Sequence, residues 1–198
     1  NNKKDFNYDL ILIANTSKYL LHYRFLLIKK LNIYFRNVFA LAPIDKSSNQ
    51  LEKNTKFIPW NLTNKNDFNP FYLINPFILL FKEIKMIKPI IVHSHTIKPN
   101  LLISFVNSIL GVRTIISFPG MGRLSNSKGI KKLILKLILK IIYLLSIYQI
   151  KNFILIKKNH ERVKFIFQNP VDLESFINLI GIKNKHNLFN LIPGSGVP

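Results

Sequence analysis

Five consecutive apolar residues, Leu10-Ile11-Leu12-Ile13-Ala14, stand near the start of the chain. A run of that length without polar alternation suits a strand covered on both faces of a parallel sheet. The polar turn Asn15-Thr16-Ser17 follows. From Tyr19 to Leu31 the apolar residues then recur at helical spacing. Val38 to Ala42 is a second strand stopped by Pro43, and Phe57-Ile58 a short third one. Asp45 to Asn54 between them reads as a polar loop. Asn75-Pro76 has the chemistry of a helix start, a capping Asn before a Pro at the first helical position. That helix should stop before Pro89. Ile90 to His93 is a fourth strand, and Pro99 to Leu110 a helix ended by Gly111. Thr114 to Ser117 is a fifth strand, followed by the loop Pro119-Gly120-Met121-Gly122. Gly129 to Ile150 reads as one long helix that could run on to Ile156. Val163 to Phe167 is a strand, Asp172 to Leu179 a helix and Leu188 to Ile192 the last strand.

Strand and helix alternate with short connections. The pattern predicts right-handed β-α-β crossovers and an α/β, Rossmann-like parallel sheet with helices on both faces. Residues 1–192 are expected to form one domain, and 193–198 the start of a linker.

Charge modifies this picture without deciding it. The chain of 198 residues has 29 Lys+Arg against 9 Asp+Glu, a net charge of +20, yet is 48% hydrophobic. That hydrophobicity excludes a disordered chain. The absence of Cys excludes a disulfide scaffold and fits a reducing compartment. Lys, Asn, Ile, Leu and Phe share A/T-rich codons, so codon bias accounts for part of the lysine excess. An anionic partner, membrane or nucleic acid, is the functional alternative. The helix from Gly129 carries Lys131, Lys132, Lys136, Lys140 and Lys151 among Leu and Ile residues. It suits first a helix packed on the sheet with lysines outward, and both readings hold if that outer face meets an anionic bilayer. No run reaches the ~18 apolar residues of a spanning helix. The start Asn1-Asn2-Lys3-Lys4 shows no signal peptide and no Met, and reads as a fragment or a processed product.

In an open α/β sheet, ligands bind beyond the carboxyl ends of the strands. Asn15-Thr16-Ser17, His93-Ser94-His95-Thr96 with Lys98-Pro99-Asn100, and Gly120 with Gly122 all fall there. His93 and His95 share a face of an extended segment. Either His93 hydrogen-bonds locally at a strand end, or an imidazole, that of His95, faces a substrate. A metal would want a third ligand, and no Asp or Glu lies between Glu83 and Glu161. Gly120 and Gly122 permit close backbone approach to a phosphate, or a plain turn. Walker-type, dinucleotide and nucleophile-elbow glycine patterns are missing. Nine carboxylates make a two-carboxylate glycosidase site hard to assemble.

Six segments in order resemble the N-terminal domain of bacterial family 4 glycosyltransferases of GT-B architecture. They are Asn15-Thr16-Ser17 with Arg24, Asn75-Pro76, His93 to Asn100 (the run HSHTIKPN), Gly120-Met121-Gly122, Phe167 to Asp172 and Ile192 to Val197. The closest resemblance is to enzymes that extend undecaprenyl-diphosphate-linked sugars. It implies the N-terminal half of a GT-B fold, holding a lipid-linked acceptor at the inner face of the cell membrane. A nucleotide-sugar donor would be held mainly by a second domain or a separate donor-domain subunit. It further implies a catalytic role for His95 and substrate binding by Asn15, Thr16, Ser17, Arg24, His93, Thr96, Lys98, Asn100, Gly120, Gly122 and Asn169. No metal, cofactor or nucleic-acid partner is expected. The family often carries a His after the fifth strand, where this chain has Ser117-Phe118-Pro119-Gly120. The alternative is a non-catalytic membrane module or a split-enzyme subunit of the same fold.

Overall fold

A computed structural model describes residues 7–62, 71–120, 129–151, 154–158, 162–182 and 187–193, by backbone alone at 149–151 and 154–158. Seven strands form one parallel sheet: β1 (Asp9–Ile13), β2 (Asn37–Ala42), β3 (Lys56–Pro59), β4 (Ile91–His95), β5 (Thr114–Phe118), β8 (Val163–Phe167) and β9 (Phe189–Leu191). Their order is β3-β2-β1-β4-β5-β8-β9, and each adjacent pair runs parallel. The direction of winding reverses between β1 and β4, which opens a crevice at the carboxyl edge of those two strands.

Alternate residues of β1 feed opposite cores, because successive strand side chains point to opposite faces. Leu10 and Leu12 pack with Leu20 and Ile28 of α1 (Ser17–Tyr34) and Leu51 of α2 (Ser48–Glu52). Ile11 and Ile13 pack with Leu80 and Ile84 of α3 (Phe71–Ile87) and Leu102 and Val106 of α4 (Ile97–Leu110). A third cluster joins β5 and β8 to α5 (Ile130–Ile147) and α6 (Pro170–Ile180). The continuous apolar runs thus meet helices on both sides, as expected for a buried parallel sheet.

Several boundaries differ from the sequence expectation. The helix expected to begin at Asn75-Pro76 begins at Phe71, with Pro76 inside it. A Pro so near the start removes one backbone bond, and the buried Trp60 indole donates to the Pro76 carbonyl at 3.0 Å. The polar loop 45–54 contains α2, which Asp45 organises by accepting from the Ser47 amide at 2.7 Å. β4 continues to His95 and α4 starts at Ile97, two residues before Pro99. Pro99 then occupies the first turn, where its missing N–H would have had no helical partner. The long helix stops at Ile147. The hairpin of β6 (Tyr148–Lys151) and β7 (Ile154–Lys158) replaces its expected extension. α6 spans Pro170–Ile180, two residues longer at its start than the periodicity gave. Gly111 and Gly181 end their helices in the left-handed region, φ 65° and 76°, where only Gly sits without strain.

On α5, Leu135, Leu139 and Ile142 are buried, and the lysines point outward. Beside the lysines, Ile130, Leu133, Ile134 and Leu137 are exposed too. Among the described residues, no helix is long and apolar enough to cross a membrane.

Candidate functional site

The crevice between β1 and β4 is built from α1 and from the ends of β4, β5 and β8. Thr16 caps α1, its hydroxyl accepting from the Tyr19 amide at 3.1 Å. The helix so anchored carries Tyr19 and Arg24 over the tip of β4. Arg24 is 8% exposed. Its Nε donates to His95 Nδ1 at 3.4 Å and its Nη1 to the Tyr23 carbonyl at 3.0 Å. The guanidinium carbon lies 5.4 Å from the Tyr19 ring centroid. With its amide turned to satisfy both neighbours, Gln168 at the end of β8 accepts from Arg24 Nη2 at 2.9 Å and donates to the Pro119 carbonyl at 3.1 Å.

The strand period puts His93 and His95 on one face, ring centroids 4.1 Å apart. The Tyr19 ring lies 5.5 Å from that of His95. His93 Nε2 and the Ser117 hydroxyl are hydrogen-bonded at 2.7 Å. Burial, with Arg24 adding to it, pushes the His93 imidazole down to about 3. Burial lowers His95 well below the usual histidine range, and the charges of His93 and Arg24 act in the same direction. Burial also pushes the Tyr19 phenol up to about 12. At neutral pH both imidazoles are uncharged and Tyr19 keeps its proton.

Thr96 joins β4 to α4 at φ 73° and ψ 159°, a region almost reserved for Gly, and its side chain makes no cap bond. Such backbone costs of order 1–3 kcal/mol and clusters at ligand sites. Asn100, fully buried, donates to the Ser117 carbonyl at 2.9 Å. Among the described residues, Tyr19 OH, Ser94 Oγ, His95 Nε2, Thr96 Oγ1 and Asn100 Oδ1 are buried without a hydrogen-bond partner. Buried polar atoms are normally paired, so the unpaired His95 Nε2, Thr96 Oγ1 and Asn100 Oδ1 mark the β4–α4 junction as the candidate site.

No family model matches the sequence, and no curated protein matches it either. Solved structures do match. A glycosyltransferase from Rickettsia africae superposes with a TM-score of 0.56 at 13% identity, over 94% of this chain and 43% of that one. Anabaena HepE, solved with UDP-glucose, gives 0.60 at 8% identity over 95% and 44%. A UDP-N-acetylglucosamine 2-epimerase gives 0.61 at 13% over 96% and 49%. This is the fold of one GT-B half. The chain spans less than half the length of each of these proteins. Identities this low speak for fold alone, and the epimerase shows that the fold serves more than one reaction on nucleotide sugars.

In this GT-B half, Arg24, His93, His95, Thr96 and Asn100 come together as one cluster. Lys98 is 5% exposed in the first turn of α4. Ser17 is fully buried, donating to the Pro43 carbonyl at 2.6 Å and accepting from Ser48 at 3.1 Å. Asn15 is half-buried beside Thr16. Asn169 caps α6, accepting from the Asp172 amide and donating to its carboxylate, both at 2.7 Å. Gly120 has φ 154° and open space where a Cβ would stand. Gly122 lies outside the described residues. Tyr19, Ser117 and Gln168 belong to the cluster and were not among the sequence candidates. Gln168 stands next to the chosen Asn169 in the Phe167-Gln168-Asn169-Pro170 run, so its signal was one position away.

Among the described residues, no three His, Cys, Asp or Glu side chains are grouped for a metal ion. The cluster offers hydrogen-bonding side chains and one buried cation, the Arg24 guanidinium.

Proposed function

We propose that the chain is the acceptor-side half of a glycosyltransferase that moves a sugar from a nucleotide-sugar to a lipid-linked acceptor in cell-surface polysaccharide synthesis. The observation that carries this reading is the strained Thr96 beside the buried Arg24–His95 pair, with His95 Nε2 left unpaired, at the crevice of a GT-B half. Arg24 and Lys98 would draw the anionic part of the acceptor, and His95 would meet the reacting end. The donor half, in the same polypeptide or in a partner, would supply the opposite wall and most of the nucleotide-sugar contacts. The basic, part-apolar outer face of α5 fits peripheral binding to the anionic inner face of the cell membrane, where such an acceptor is embedded.

Glycosyl transfer needs both substrates aligned and the leaving diphosphate stabilised. One half provides one wall. A radiolabelled sugar-transfer assay on these 198 residues alone is therefore expected to show no turnover. Robust transfer by the isolated chain would contradict the division of labour.

The epimerase match keeps a second reaction class in view. It predicts interconversion of UDP-N-acetylhexosamines without any lipid, and a coupled epimerase assay separates the two.

A further inference from the structure

We infer that Arg24 is a positioning residue that locks His95 in the Nε2–H tautomer, so that His95 meets its ligand as a hydrogen-bond donor to an oxygen and not as a proton acceptor. A guanidinium carries donors alone. Arg24 Nε–H points at His95 Nδ1, 3.4 Å away, so that nitrogen must offer its lone pair. The ring proton then sits on Nε2, the atom that is buried without a partner. A proton on Nδ1 would set two N–H groups against each other. A doubly protonated ring would add a second cation beside the first.

The guanidinium is itself held from three sides. Nη1 reaches the Tyr23 carbonyl, Nη2 reaches the Gln168 amide oxygen, and the Tyr19 ring lies alongside. Gln168 is oriented in turn by the Pro119 carbonyl. The imidazole lies near the rings of both Tyr19 and His93. Four elements of the fold, α1, β4, the end of β5 and the end of β8, thus converge on one ring orientation. What they present is a single N–H donor aimed at an acceptor oxygen, whether a phosphoryl oxygen or a sugar hydroxyl.

The tautomer follows from geometry. The ligand part rests on the substrate-site reading above, and the experiment separates them. Long-range proton–nitrogen correlation spectra of the folded chain labelled with 15N-histidine report each ring nitrogen, with His95→Gln giving the assignment. At pH 7 the His95 Nδ1 signal is expected in the unprotonated range and Nε2 in the protonated range. Arg24→Lys keeps the charge but removes the Nε–H, and is expected to give a mixture of tautomers. An Nδ1–H tautomer in the wild type overturns the inference, as does a folded Arg24→Lys chain with the wild-type pattern. If Arg24→Lys does not fold, the wild-type spectrum decides alone. Titration with inorganic pyrophosphate and, separately, with methyl glucoside is expected to move Nε2 for one of them. A fixed Nε2 in both overturns the substrate-site reading and leaves the tautomer result standing.

Discussion

His95 and Arg24 stand 71 positions apart in sequence and meet at the tip of β4. Each was recognisable as a candidate from its own segment. Their pairing was not, because it depends on which strand neighbours which. The same holds for Gln168, whose two partners come from α1 and from the loop after β5. Two predictions belong at this scale. The lowered histidines make stability depend on acid: between about 6.5 and their native values, the unfolded chain binds protons that the native one refuses. Unfolding free energy is therefore full above pH 6.5 and falls as the pH drops, by about 1.4 kcal/mol per unit for the fully buried His95. Urea midpoints at pH 7 and pH 5 should show this fall, and His95→Gln should make it shallower. The second concerns Thr96. Thr96→Gly relieves the φ 73° backbone and is expected to raise stability by about 1 kcal/mol, roughly 2–4 °C in Tm, while weakening ligand binding. A lowered Tm would mean that the observed backbone is not strained.

At the scale of elements, apolar periodicity located every strand of the main sheet to within one or two residues, the largest difference being β4, which reaches His95 rather than His93. It failed where a tertiary contact or a local turn outweighed propensity. Trp60 anchors a helix through Pro76, Asp45 winds a short helix out of a polar stretch, and a hairpin interrupts the long lysine helix at Tyr148. The core under α6 tests the packing. Phe176 is fully buried, its ring centroid within 5.1–6.0 Å of those of Phe118, Phe165, Phe167 and Phe189. Phe176→Ala should cost about 3–5 kcal/mol in urea unfolding with little change in the slope. The outer face of α5 tests the surface reading. Replacing Lys132, Lys136 and Lys140 by Gln removes charge from exposed positions and should leave circular dichroism unchanged. Partition onto vesicles rich in anionic lipid should fall by roughly 100-fold, at ~1 kcal/mol per Lys. Undiminished flotation would remove α5 from the membrane account.

For the whole molecule, strand–helix alternation gave the class, and six ordered motifs gave the GT-B half. The reversal between β1 and β4 was not written in any one segment, yet it gathers the first loop, the HSHTIKPN run and the end of β8 at one edge. The +20 charge also reads differently at this scale. Part of it lies buried, as Arg24 in the site and Lys98 in the first turn of α4, and part rims an exposed apolar helix face. Acceptor-side binding is the central claim, and equilibrium binding tests it most directly. The folded chain is offered an undecaprenyl-diphosphate-linked sugar in anionic nanodiscs, and in parallel UDP-glucose in solution. The account predicts saturable binding of the lipid-linked sugar, weakened at least tenfold in His95→Ala, with UDP-glucose bound far more weakly. Tight UDP-glucose binding with no preference for acceptor-loaded over empty nanodiscs would contradict it.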